Sequence, residues 1–188
     1  MGSGHAENKG DKQVVTGRHP GVHGPILIGL GANLPSPRHG PPVASLEAAL
    51  AALTARGIRI VARSRWWESA PVPASDQPWY VNGVVKVETA LAPEALLACL
   101  HEVEAEFGRV RSVANAPRVL DLDLLAYGDL KRPGPKPPLL PHPRLAERAF
   151  VLYPMAEIAP GWRHPGTGRT LPEMIAGLPA GQIVRPFP

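Results

Sequence analysis

Between Val119 and Tyr127 the chain reads V-L-D-L-D-L-L-A-Y, and this stretch constrains the fold more than any other. Leu120, Leu122 and Leu124 alternate with Asp121 and Asp123, a period of two that an extended strand sorts onto two faces. The pattern predicts a strand whose leucines enter a core and whose two carboxylates share the opposite face, roughly 6.6 Å apart along the strand. Two acids so placed repel each other, and strands are depleted in aspartate to begin with. One reading is an edge strand with a solvated acidic face. The other is a partly buried pair that needs a counter-charge, and the surrounding Val119, Leu120, Leu122, Leu124 and Leu125 favour it. A hard cation such as Mg²⁺ takes one or two carboxylates together with phosphate oxygens of a substrate. Just upstream stand Arg109, Arg111 and Arg118. Guanidinium groups bind phosphate bidentately and stabilise charge that develops during phosphoryl transfer. Acid pair and arginine loop together point to a nucleotide with its metal ions.

The other elements follow from periodicity and stop signals. Ile26 to Leu30 is a short apolar run interrupted by Gly29, with Gly31 just beyond, as expected of a central strand whose backbone is closely approached. Val43, Leu46, Leu50 and Leu53 recur at helical spacing and Gly57 gives a stop. Ile58 to Trp67 alternates as a strand, with Ile58, Ile60, Ala62 and Trp66 on one face and Arg59, Val61, Arg63 and Arg65 on the other. That arginine stripe reads as a solvated outer strand, with a nucleic-acid face as the alternative. Glu68 to Trp79 is a Pro- and Ser-rich loop, of a length often found at functional sites. A third strand runs from Val81 to Thr89. Pro93 then opens a helix carrying Leu96, Leu100, Val103 and Phe107 on one face, ended by Gly108. The order strand, helix, strand, strand, helix, strand predicts an α+β fold, a ferredoxin-like βαββαβ antiparallel sheet with helices on one face. C-terminal helical additions are expected around Tyr153 to Met155 and Leu171 to Ile175.

Gly108-Arg109-Val110-Arg111 followed by Pro117-Arg118-Val119-Leu120-Asp121-Leu122-Asp123-Leu124 resembles the signature of the 6-hydroxymethyl-7,8-dihydropterin pyrophosphokinase family. Three further segments match in the family's order: G-L-G-A-N-L at 29–34, D-Q-P-W-Y-V-N at 76–82, and Pro141-His142 followed by Arg148-Ala149-Phe150. The resemblance implies transfer of the β,γ-diphosphate of ATP to 6-hydroxymethyl-7,8-dihydropterin, with release of AMP. It implies ATP as co-substrate and two Mg²⁺ ions held by Asp121 and Asp123, with Arg109 and Arg118 steadying the transferring group. Glu104, Arg111, Leu124, His142 and Arg148 would border ATP. Gly31, Ser69, Ala70, Val72, Tyr80, Asn82 and Phe150 would border the pterin. Some positions depart from the family's pattern: the arginine loop has Asn115-Ala116 where some members carry tryptophan and looks one residue shorter, Ala70 replaces a common proline, and Pro35 follows N-L.

Composition sets the outer bounds. A chain of 188 residues with 44% hydrophobic content supports one cored domain, expected over 25–188. Residues 1–24 lack periodicity, and despite His5, His19 and His23 they read as a disordered extension or an expression remnant. The net charge of +4 suits phosphate-bearing ligands and nucleic acid equally. A single cysteine, Cys99, excludes an internal disulfide and fits a reducing compartment. No run is long enough for a membrane span. The expectation is a cytoplasmic monomer acting on small molecules, with no nucleic-acid or membrane partner. The competing readings are a basic ferredoxin-like RNA-binding module and a two-metal nucleotidyl transferase that releases pyrophosphate.

Overall fold

The structure, a computed structural model, describes residues 22–109 and 117–188. In chain order the elements are β1 (Ile26–Ala32), α1 (Pro42–Ala55), β2 (Arg59–Arg63), β3 (Trp67–Ser69), β4 (Tyr80–Glu88), α2 (Pro93–Glu106) and β5 (Asp121–Tyr127). They continue with a single 3-10 turn at Leu145–Glu147, α3 (Ala149–Ile158), α4 (Leu171–Ala176) and β6 (Val184–Pro186). The strands form one sheet in the order β5-β1-β4-β3-β6, with β2 also paired to β4, and every pairing is antiparallel.

Alternation along the central strands builds two cores. Ile26, Ile28 and Leu30 of β1, Val81, Val85 and Val87 of β4, and Leu122 and Leu124 of β5 face α1 and α2. Those helices close the core with Leu46, Leu50 and Leu53 from α1 and Leu96, Leu100 and Val103 from α2, the residues that the helical spacing selects. Each such leucine, fully removed from water, contributes about 1.5–3 kcal/mol. Proline at the first turn of both helices costs nothing, because its missing N–H would have no partner there. Val22, inside the stretch set aside on sequence grounds, packs against this core.

α1 and α2 lie on one face, as the strand and helix order leads one to expect, and the C-terminal helices build a second core on the other. Leu27, Val84, Leu125 and Ala126 point to the opposite side of the sheet, where Val151, Leu152 and Met155 of α3 and Leu171 and Met174 of α4 cover them. The carboxylate face of the sheet is therefore roofed in part by the C-terminal helices. Such a face would otherwise leave these apolar groups in water.

The expected strand 58–67 is divided. A register shift between Ile60 and Ala62 brings Ile60 and Arg63 to the same face, opposite Val87 and Val85. Pairing to β4 is interrupted near Gly83, where an added Cβ would lie 2.5 Å from the Trp66 ring. It resumes as β3, three residues that the sequence places partly in a loop. The arginine stripe is divided with it. Arg63 pairs with Glu47 of α1, Arg65 with Glu157 of α3 on the other face, and Arg59 with Glu88.

Candidate active site

The site lies where β5, β1 and β4 run side by side on the face opposite α1 and α2. Register places Gly31 directly across from Asp121 on one side and Asn82 on the other, and Gly29 across from Asp123 and Val84. Directly opposed residues in antiparallel strands point to the same face, so Asn82, Asp121 and Asp123 share one surface. Leu125 leans over Gly29, its nearest side-chain atom 3.3 Å from an added Cβ. Gly31 is different: an added Cβ there would meet Asn82 Oδ1 at 3.2 Å and nothing else among the described residues. The result is a gap floored by bare backbone, about two strand spacings or ~9.6 Å wide, between an amide and a carboxylate.

The walls of this gap are polar and mutually paired. Asn82 donates from Nδ2 to Ser69 Oγ at 2.9 Å, and both residues are buried. Tyr80 heads the same strand and donates its hydroxyl to Gln77 Oε1 at 3.2 Å. Burial pushes the Tyr80 phenol above its ordinary range; Arg118 acts against that shift and Asp121 with it, which places Tyr80 beside the charged cluster.

On the other wall, Asp121 is ion-paired to both Arg109 and Arg118. Arg109 also pairs with Glu104, a carboxylate only 1% exposed that accepts the Leu122 backbone N–H at 2.7 Å. A left-handed Gly108 (φ 83°) ends α2 and turns the chain so that Arg109 reaches back to this cluster. Asp123 accepts from Arg148 at 3.0 Å, and the same guanidinium lies 5.6 Å from the centre of the Phe150 ring. His142 sits next to this pair, its backbone N–H donating to the Leu125 carbonyl at 2.8 Å. Burial lowers its pKa below the ordinary histidine value while Asp123 pulls the other way.

The chemistry of the donor set can be read from this arrangement. The described residues contain no group of three or more His, Cys, Asp or Glu side chains that could hold a metal ion unaided. Two hard carboxylates on one face suit Mg²⁺, which takes one or two carboxylates and keeps waters and substrate oxygens in its shell. Three guanidinium groups face three carboxylates, so the cluster balances its own charge. A polyanion therefore needs accompanying cations to keep the site neutral, even where the arginines turn from the carboxylates onto it.

Most predicted residues are brought together here: Glu104, Arg109, Arg118, Asp121, Asp123, His142, Arg148 and Phe150 on one wall, and Gly31, Ser69, Tyr80 and Asn82 on the other. Ala70 follows Ser69 and is held by its N–H to the Ile183 carbonyl at 3.1 Å, so the C-terminal β6 braces this edge. Val72 lies out on the loop, half exposed. Leu124 does not point into the site; its side chain is in the core under α2, and only its main chain borders the carboxylate face. Arg111 lies outside the described residues. Asn33, quoted in a motif but given no role there, is buried against both loops of the site. A lone asparagine after a strand carries no local signal of such contacts.

Comparison with known proteins bears on the same residues. The family model described as 7,8-dihydro-6-hydroxymethylpterin-pyrophosphokinase matches residues 27–160. A 2-amino-4-hydroxy-6-hydroxymethyldihydropteridine pyrophosphokinase of Pseudomonas aeruginosa is 43% identical over 163 residues, covering 85% of this chain and 95% of the relative. A protein of the same description from Synechocystis is 40% identical and covers 81% of this chain and 75% of the relative. Among solved structures, a Plasmodium falciparum HPPK-DHPS superposes with a TM-score of 0.60 at 13% identity, over 81% of this chain and 43% of that longer one. At that identity the likeness concerns the fold alone.

Proposed function

Because the chain belongs to the 7,8-dihydro-6-hydroxymethylpterin-pyrophosphokinase family, we infer that it transfers a diphosphate from ATP to 6-hydroxymethyl-7,8-dihydropterin in folate biosynthesis, releasing AMP. The observation that carries the reading is the gap over Gly31, with an amide on one side and a carboxylate–arginine cluster on the other. A pterin ring presents alternating donors and acceptors along its edge, which Asn82 can match because its amide both donates and accepts. Ser69 orients that amide, Tyr80 and Phe150 offer rings to stack on, and Ala70 and Val72 belong to the adjoining edge and loop.

The phosphate end falls to the other wall. Asp121 and Asp123 would hold two Mg²⁺ ions together with phosphate oxygens. Mg²⁺ bound there supplies neutralisation of the triphosphate and of charge spreading in the transition state. Arg109 and Arg118, exchanged from Asp121 onto the transferring group, would steady it, while the Mg²⁺ ions offset the charge of the polyanion. His142, Arg148 and Arg111 complete the phosphate contacts, and the Leu124 main chain and Glu104 border the nucleotide. In the reaction the substrate hydroxyl oxygen forms a bond to the β-phosphorus while the bond from that phosphorus to the α,β-bridging oxygen breaks, leaving AMP, and the hydroxyl proton passes to solvent water. No strong side-chain base is required, since alignment and preorganised charge dominate this chemistry.

The ferredoxin-like description of the β1-to-β5 portion, with α3, α4 and β6 as additions, belongs to the same reading, as does a single domain over 25–188. The order β5-β1-β4 with β2 outermost supports both. A cytoplasmic monomer is proposed with it; Cys99, the chain's single cysteine, is free and buried, which suits a reducing compartment. The test is incubation with ATP, Mg²⁺ and the dihydropterin, with nucleotide and pterin products resolved by chromatography. AMP and diphosphorylated pterin in equal amounts are expected. Pyrophosphate without AMP would instead indicate nucleotidyl transfer, and no turnover by folded protein would overturn the reading.

A further inference from the structure

Asn33 stands one residue beyond β1 and is 2% exposed. Its Oδ1 accepts the Arg118 backbone N–H at 2.7 Å. Its Nδ2 donates to the Pro78 carbonyl at 3.1 Å and to Gln77 Oε1 at 3.4 Å. The backbone N–H groups of Asn33 and Leu34 both donate to the Arg118 carbonyl, at 2.9 and 3.1 Å. Gln77 Oε1 also receives the Tyr80 hydroxyl. One buried amide therefore touches the segment that delivers Tyr80 and Asn82 to one wall of the gap and the segment that delivers Arg118 and Asp121 to the other.

The residue type matters. A carboxamide presents a donor and an acceptor in one rigid, uncharged plane, so it can satisfy a carbonyl on one side and an N–H on the other. Because the group is buried, neither arm can be exchanged for water without cost. A shift of one segment must then be followed by the other or leave a polar atom unpaired.

We propose that Asn33 is a positioning residue that couples the Gln77–Asn82 segment to the Arg118–Asp121 segment, so that filling either substrate subsite orders the other. The proposal rests on the pyrophosphokinase reading above, and the wild-type product assay decides that reading separately. Asn33→Asp is the informative variant. It keeps an acceptor for Arg118 but replaces the donor with a carboxylate oxygen facing the Pro78 carbonyl. Steady-state kinetics should show KM for the dihydropterin and KM for ATP both raised, each about tenfold or more, as expected for loss of a buried hydrogen bond whose coupling acts equally on the two subsites. A rise confined to the dihydropterin KM would make Asn33 a local support of that wall and overturn the proposal. Both KM values within about twofold of wild type, with only the melting temperature lowered, would reduce Asn33 to a scaffold residue and overturn the proposal. A wild-type measurement covers the case in which the variant fails to fold. By NMR, dihydropterin alone should slow exchange of the Arg118 amide, and a non-hydrolysable ATP analogue alone should slow exchange at Gln77 and Tyr80. Slowing confined in each case to the ligand's own wall would equally overturn it.

Discussion

Glu104 is the support on which the arginine wall stands, and its removal should cost more than any surface charge. The carboxylate is 1% exposed, accepts the Leu122 N–H at 2.7 Å and pairs with Arg109. In Glu104→Ala the Leu122 amide has lost this acceptor, at about 1–3 kcal/mol. Arg109 loses one of two carboxylates. An orphaned buried charge costs about 3–5 kcal/mol, but Arg109 keeps Asp121 and is partly exposed, so about 1–2 kcal/mol is the fitting share. The total is about 2–5 kcal/mol. In Glu104→Gln the shape and the acceptor remain and only the charge is lost, so about 1–2 kcal/mol is expected. For a chain of this size each kcal/mol moves the melting temperature by about 2–4 °C, which puts the alanine variant roughly 10 °C below wild type. Urea unfolding followed by circular dichroism, with the slope unchanged, measures both. An alanine variant within about 1 kcal/mol of wild type, or a glutamine variant as damaged as the alanine one, would refute this account of the cluster.

Three further outcomes follow from the same geometry. Asp121→Asn and Asp123→Asn should each lower the rate of AMP release at saturating substrates by about 10²-fold or more, the scale of losing one preorganised charge contact; full activity in either would remove that carboxylate from the chemistry. Gly31→Val should fill the gap between Asn82 and Asp121 and raise KM for the dihydropterin about tenfold, the lower range of overpacking cost, with folding little changed; an unchanged KM would mean the ring binds elsewhere. His164 accepts the Gly166 and Thr167 N–H groups at Nδ1, 3.1 and 3.2 Å away, and burial holds its pKa below the ordinary value of about 6.5. The unfolded chain therefore takes up the proton first. Stability should be level above about pH 6.5 and fall as the pH drops through the lower folded-state value, and His164→Gln should flatten that fall in thermal melts between about pH 7.5 and 5.5. Parallel curves would show that His164 has no part in it.

The legible and illegible parts of this protein divide along the range of the interaction. Leu46, Leu50 and Leu53 in α1, and Leu96, Leu100 and Val103 in α2, are buried where helical spacing puts them. The L-D-L-D run places its leucines in the core and its acids on the other face. These follow from backbone periods that operate within a few residues. The arginine stripe from 59 to 65 misleads, because a register shift and the Trp66 ring over Gly83 break the period just where it was being counted. Signature segments in G-L-G-A-N-L, D-Q-P-W-Y-V-N and R-A-F pointed by resemblance to most of the residues that line the gap, while the Leu124 side chain lies in the core.

What the sequence determined alone was therefore which face each side chain takes and which chemical groups are available: two acids on one side of a strand, arginines before it, an amide and a tyrosine heading another. Tertiary structure decided who meets whom. Asp121 faces Asn82 only because both strands flank Gly31, Arg148 reaches Asp123 across 25 residues of chain, and Asn33 joins loops 44 and 85 positions away. α3 and α4 cover the second face because Leu27, Val84 and Leu125 would otherwise remain in water. Local periods are written in neighbouring residues; charge pairing and burial between distant segments are settled only when the whole chain has closed.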